Sequence, residues 1–209
     1  MQVIPIVVGA FQVNCYLAVS DGGQALVIDP GEDAGQIAVA LRERKLTVAA
    51  YLITHGHMDH IGGLAELTRL FPAPVAIHPA DGAWAFSPAN AMPPYYDMPE
   101  RPANIDRHLA DGQQYEDGGL RYDIITTPGH SPGCVCFYFQ AEKTLFTGDT
   151  LFSGSVGRTD LEGSDEPLME SSLRRLAQLP VDTLVYPGHG PRTTIGREKQ
   201  DNPFLRFLA

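Results

Sequence analysis

Thr54-His55-Gly56-His57-Met58-Asp59-His60 packs three imidazoles and a carboxylate into the six positions 55–60, directly behind the apolar stretch TVAAYLI. Neutral nitrogen and anionic oxygen donors at this density suit a divalent metal ion. Gly56 lets the backbone turn sharply, so His55 and His57 can reach one ion while Asp59 and His60 point elsewhere. Three more donors follow glycines at the ends of strand-like segments: His130 in TTPGHSPG, Asp149 in LFTGDT and His189 in VYPGHG. One Gly-His at a strand end would pass for a half-buried surface residue. Seven donors do not, and because a catalytic zinc usually takes three protein ligands and keeps a position open, they imply two ions.

Two such divalent ions, zinc first with iron and manganese as alternatives, would bring the pKa of a water toward about 7 and polarise a carbonyl. The chemistry this implies is hydrolysis by activated water. Asp59 is the candidate catalytic group, because it can join the donor set and also accept a hydrogen bond from the attacking water. No serine or cysteine nucleophile is required.

The donors need strands that end together. QVIPIVV, VNCYLAVS and QALVIDP read as strands, with Asp21-Gly22-Gly23 turning between the second and third. DAGQIAVALRERK has helical spacing, with Asp33 placed to cap it, and TVAAYLITH returns as a buried strand. The spacing predicts a helix from Asp59 to Leu70, then a short strand PVAIH. The stretch SPANAMPPYYDMPERPAN is too irregular for either period and reads as a surface loop, where Trp84, Tyr95 and Tyr96 could shape a pocket. LRYDIITT, CVCFYF, TLFTG and DTLVYP read as strands and EPLMESSLRRLAQL as an amphipathic helix. Two sets of strands with helices predict two packed sheets with helices outside, in one domain over 1–209.

Composition narrows the partners. A net charge of −10 with no run of Lys or Arg argues against nucleic acid, and no apolar run reaches the length of a membrane span. The opening MQVIPIVVGAFQ lacks the features of a signal peptide, and the three cysteines sit in strand-like stretches as small core residues, so a cytoplasmic location is expected. His78 and His108 lack the glycine-flanked context of the other five histidines and are left out of the site. Asn14, Cys15 and Tyr16 read as packing.

The chain closely resembles the metallo-β-lactamase superfamily and, within it, the short glyoxalase II-like hydrolases of bacteria. The resemblance is carried by THGHMDH, VIDPG, TPGHSPGC, FTGDTLF, GSVGRTD and PGHGPRTTIGREKQDNPFL, and so spans nearly the whole chain. It implies an α/β fold, a four-layer αββα sandwich with the metals at one edge between the sheets. It also implies His55, His57 and His130 on one metal, Asp59, His60 and His189 on the other, and Asp149 bridging them. Asp29 matches an aspartate near the site, where a carboxylate would orient a liganding imidazole. Compared with the larger glyoxalase II enzymes, the chain stops soon after His189 and leaves no room for their C-terminal helical domain, which helps hold glutathione. Anion binding would then fall to Arg158 and Arg192. The expected substrate is a small thioester of the S-lactoylglutathione type. Two other readings stand beside it: a mononuclear iron persulfide dioxygenase, and a non-catalytic metal-binding module.

Overall fold

Strands β1 (Gln2–Val8), β2 (Val13–Val19) and β3 (Gln24–Ile28) pair antiparallel in sequence. β2 is buried at every position, which requires cover on both faces of its sheet. Its side chains alternate accordingly, Tyr16 and Ala18 entering one apolar cluster and Val13, Cys15, Leu17 and Val19 another. In this computed structural model, which describes residues 1–206, α1 (Ala34–Glu43) then carries the chain to β4 (Thr47–Leu52), parallel to β3. Helices α2 (Met58–Ile61) and α3 (Leu64–Leu70) lead to β5 (Val75–Ile77), and α4 (Pro79–Gly82) opens the long connection to β6 (Arg107–His108). These six strands form one sheet in chain order.

The second sheet begins with β7 (Gln114–Asp117), β8 (Leu120–Thr126), β9 (Val135–Phe139) and β10 (Thr144–Gly148). A small separate hairpin, β11 (Leu151–Phe152) and β12 (Ser155–Val156), precedes α5 (Glu166–Leu176). The chain returns through β13 (Leu184–Pro187), parallel to β10, then β14 (Thr193–Thr194) and α6 (Ile195–Asp201). The sheet order is β14-β13-β10-β9-β8-β7.

Between the sheets lie Tyr16, Leu26, Ile28 and Leu52 from one side and Tyr122, Phe137, Phe139 and Phe146 from the other. Full burial of each such side chain is worth about 1.5–3 kcal/mol of transfer energy. Ile37, Leu41, Ile61, Leu64 and Leu67 cover the outer face of the first sheet, and Met169, Leu173, Leu176 and Ile195 cover that of the second. The layers are therefore helix, sheet, sheet, helix, as expected.

Three details differ from the sequence reading. Asp33 precedes α1 in the left-handed region, with φ 55°, and its carboxylate accepts a hydrogen bond from Gly9 instead of capping the helix. The helix expected from Asp59 to Leu70 is broken into α2 and α3 at Gly62-Gly63. The loop after Ser87 contains a 3-10 turn at Pro88–Asn90 and a bridge between Met92 and Tyr96.

Candidate metal centre

The parallel pairs β3/β4 and β10/β13 end at one edge of the sandwich, and the donors follow those ends: Asp29 after β3, His55 after β4, Asp149 after β10, His189 after β13. His130 lies in the connection between β8 and β9, and Asp59 and His60 lie in α2. Among the described residues, His55, His57 and His130 form one group whose ligand atoms lie within 4.8 Å of one another, and Asp59, His60 and His189 form a second. Asp149 stands between them. One of its oxygens is 3.4 Å from His60 Nε2, and the other is 3.6 Å from His130 Nε2 and 3.5 Å from His189 Nε2. Asp59 Oδ2 lies 3.5 Å from His189 Nε2 and 3.8 Å from His60 Nε2. All seven expected donors thus converge.

Three of the imidazoles are held by their outer nitrogens. His130 Nδ1 meets the Arg158 carbonyl at 2.9 Å, His189 Nδ1 the Phe11 carbonyl at 3.0 Å, and His60 Nδ1 the Asp29 carboxylate at 3.0 Å. A carbonyl or carboxylate accepts only, so each of these three Nδ1 atoms donates and leaves its Nε2 facing the centre. Asp29 also accepts from the Thr54 amide and hydroxyl, which marks it as an orienting group. Gly188 is required beside His189, since a Cβ there would run into the Asp149 carboxylate and the His60 ring.

The residues fit a pair of cations. His55 Nε2, His60 Nε2 and Asp149 Oδ1 are buried without a hydrogen-bond partner, a cost that buried polar atoms bear only when something else meets them. Burial, then the neighbouring imidazoles, hold His55 well below the ordinary histidine range and His57 at about 4, so both keep free lone pairs at neutral pH. Burial also acts to lower His60 and His189, but the Asp149 and Asp59 carboxylates outweigh it, raising His60 well above its usual value and His189 to about 9. Burial acts to raise Asp59 and Asp149, yet the adjacent histidines bring both below the usual carboxylate range. The carboxylates call for positive charge at the centre, which protons or metal ions supply.

The centre opens into a cavity of about 610 Å³. His57, Asp59, His130, Asp149 and His189 reach it, among Phe11, Met58, Trp84, Met92, Pro132 and Leu161. Arg158 lines it too, paired with Asp160 at 2.7 Å. Arg192 is exposed and lies outside the lining. Of the aromatics expected to shape the pocket, Trp84 does so, its ring 5.3 Å from that of His57. Tyr95 is exposed, and Tyr96 is buried behind Phe11, accepting a hydrogen bond from its amide.

Sequence reasoning missed the residues that brace the donor loops. Asp81 accepts from the Gly56 and Gly133 amides and the Ser131 hydroxyl. Asn90 accepts from the Met58 amide and donates to the Gly56 carbonyl. Asn14, read as packing, donates to the Pro187 and Gly190 carbonyls, and the Tyr16 hydroxyl donates to Pro187, so β2 holds the His189 loop.

The model of the metallo-beta-lactamase superfamily matches residues 8–189, and the chain belongs to that superfamily. Its relatives include a probable metallo-hydrolase, YqgX, of Bacillus subtilis, 38% identical with 97% of this chain and 96% of that one covered. Hydroxyacylglutathione hydrolase GloC of Haemophilus influenzae is 35% identical, with 98% and 97% covered. Among solved structures, the BLEG-1 B3 metallo-beta-lactamase superposes with a TM-score of 0.92 at 39% identity, covering 98% of this chain and 99% of that one. TTHA1623 in a di-iron-bound form gives 0.85 at 38% identity, with 97% and 100% covered. ETHE1 from Myxococcus xanthus gives 0.81 at 26%, with 100% and 90% covered. No helix among the described residues is long and apolar enough to cross a membrane.

Proposed function

We propose that this metallo-hydrolase cleaves thioesters of the S-acylglutathione type, as a member of the short glyoxalase II-like branch. The observation that carries the reading is a double donor set at a cavity whose lining, among the described residues, holds no serine, threonine, cysteine or lysine. The end-to-end likeness to GloC supports the thioester as substrate. His55, His57 and His130 would hold one divalent ion, Asp59, His60 and His189 the other, and Asp149 both. Zinc is the first choice, with iron and manganese next, and the three buried free cysteines fit a cytoplasmic setting. When bound, the ions supply Lewis acidity and bring the pKa of water toward about 7.

The chain does the positioning. Asp59 gives one carboxylate oxygen to the donor set and accepts a hydrogen bond from the attacking water with the other. Arg158, which lines the cavity, receives the anionic end of the thiol carrier, with Arg192, three residues beyond His189, as the other candidate. The leaving thiolate, with a parent pKa near 8.5, departs without a proton donor, whereas an amine would need one.

The test is hydrolysis of S-lactoylglutathione with bound metal counted in each sample. Wild type should hold two ions per chain and lose activity in strong chelator. Asp59→Asn should lower kcat on the order of 10²-fold, and Asp149→Asn should do worse and also lose metal, because it serves both sites. Near wild-type kcat in fully loaded Asp59→Asn would remove its role. One iron per chain, with oxygen consumed on adding glutathione persulfide, would replace the hydrolase reading by a dioxygenase.

A further inference from the structure

We propose that the cavity is built for an apolar acyl group of about four to six carbons, with the charged part of the substrate held along 158–162; this rests on the thioester reading above. Apolar surface reaches both ends of the donor set. Trp84 lies against His57, and Phe11, whose carbonyl holds His189, packs in tilted contacts with its ring 4.8 Å from that of Tyr96 and 6.1 Å from that of Tyr95. Met58, Met92, Pro132 and Leu161 add further apolar surface to the lining. Outside the donor set, the charged residues lining the cavity among the described residues are Arg158 and Glu162, both on one segment. Arg158 is already met by Asp160, through two hydrogen bonds of 2.7 and 2.8 Å.

A carbonyl placed at the donor set must direct one substituent to the charged segment and leave the other among apolar side chains. A cavity of about 610 Å³ is of the size that encloses drug-sized ligands, so a two- or three-carbon acyl group would leave most of its apolar lining wet. A longer chain covers that lining, and each buried methylene is worth about fourfold in affinity. Met92, 41% exposed, has the highest fractional exposure of the large apolar side chains in the lining.

Trp84, the chain's single tryptophan, serves as reporter. The metal-loaded protein is titrated with S-methyl-, S-butyl- and S-hexylglutathione, thioethers that carry an alkyl chain in the acyl place and are not hydrolysed. Trp84 fluorescence should report a Kd that falls at least tenfold from methyl to hexyl. Met92→Gln should cut that gradient to about threefold, and Arg158→Ala should weaken all three ligands alike. No fluorescence change, a Kd independent of chain length, or a gradient untouched by Met92→Gln overturns the proposal. Hydrolysis of S-lactoyl- and S-hexanoylglutathione is measured alongside. A steep binding gradient without hydrolysis of either would sink the thioester reading and leave the apolar site standing, and hydrolysis with a flat gradient would do the reverse.

Discussion

Asp81 is fully buried, and its two carboxylate oxygens accept three hydrogen bonds: from Gly56 between His55 and His57, from Gly133, and from Ser131 beside His130. It therefore braces both loops of the His55/His57/His130 group without being a donor itself. Asp81→Asn turns an amide N–H toward one of these donors, leaving it unsatisfied at a cost of about 1–3 kcal/mol. The expected result is a lower melting temperature and, with every ligand still present, metal affinity reduced roughly 10–100-fold in chelator competition. A lowered melting temperature with unchanged metal affinity would confine Asp81 to structure. This residue was illegible in the sequence, because all three of its contacts are long-range and PADG by itself reads as a local turn. The seven donors were legible for the opposite reason: each carries a glycine or a strand end beside it, or a neighbour of its own kind.

At the scale of elements, the apolar pattern was a good guide where strands form continuous apolar runs covered on both faces, as in β2, β3 and β9. It could not find β6, β11, β12 or β14, whose two residues have no period, nor the break between α2 and α3. That break has a tertiary cause. The Gly63 amide donates to the Pro30 and Gly31 carbonyls, drawing the chain so close that a Cβ at position 63 would run into the Gly31 carbonyl. Helical spacing across 59–70 was real on both sides, but the turn after β3 fits only if the helix is interrupted there. Gly63→Ala should therefore lower stability by about 2 kcal/mol or more, roughly 4–8 °C in Tm. Gly35→Ala, in α1 with nothing near the added methyl, should raise it by about 0.5–1 kcal/mol. Thermal unfolding of the two variants side by side decides the matter, and equal effects would show that backbone entropy alone governs position 63.

For the whole molecule, family motifs made the layered architecture legible, while the contacts that join the two sheets were not, because they pair residues without a motif. Arg107 on β6 and Asp117 on β7 belong to edge strands of different sheets, yet they meet through two hydrogen bonds of 2.5 and 2.8 Å. The Tyr122 hydroxyl on β8 donates to the same carboxylate at 2.7 Å. Burial acts to raise the Asp117 pKa, but the Arg107 and Tyr122 hydrogen bonds outweigh it and hold the carboxyl below its ordinary range. A value depressed by folding means that the clasp contributes fully above the unfolded pKa of about 3.9 and is lost as pH falls through the folded value. Asp117→Asn should accordingly cost about 2 kcal/mol at pH 7, the order expected for hydrogen bonds to a charged group. The deficit should shrink steadily below pH 4, as wild type gives up the same charge. Urea unfolding of both proteins at pH 7, 5, 4 and 3 measures it directly, and a deficit that stays constant across this range would mean that the carboxylate joins the sheets by shape and not by charge.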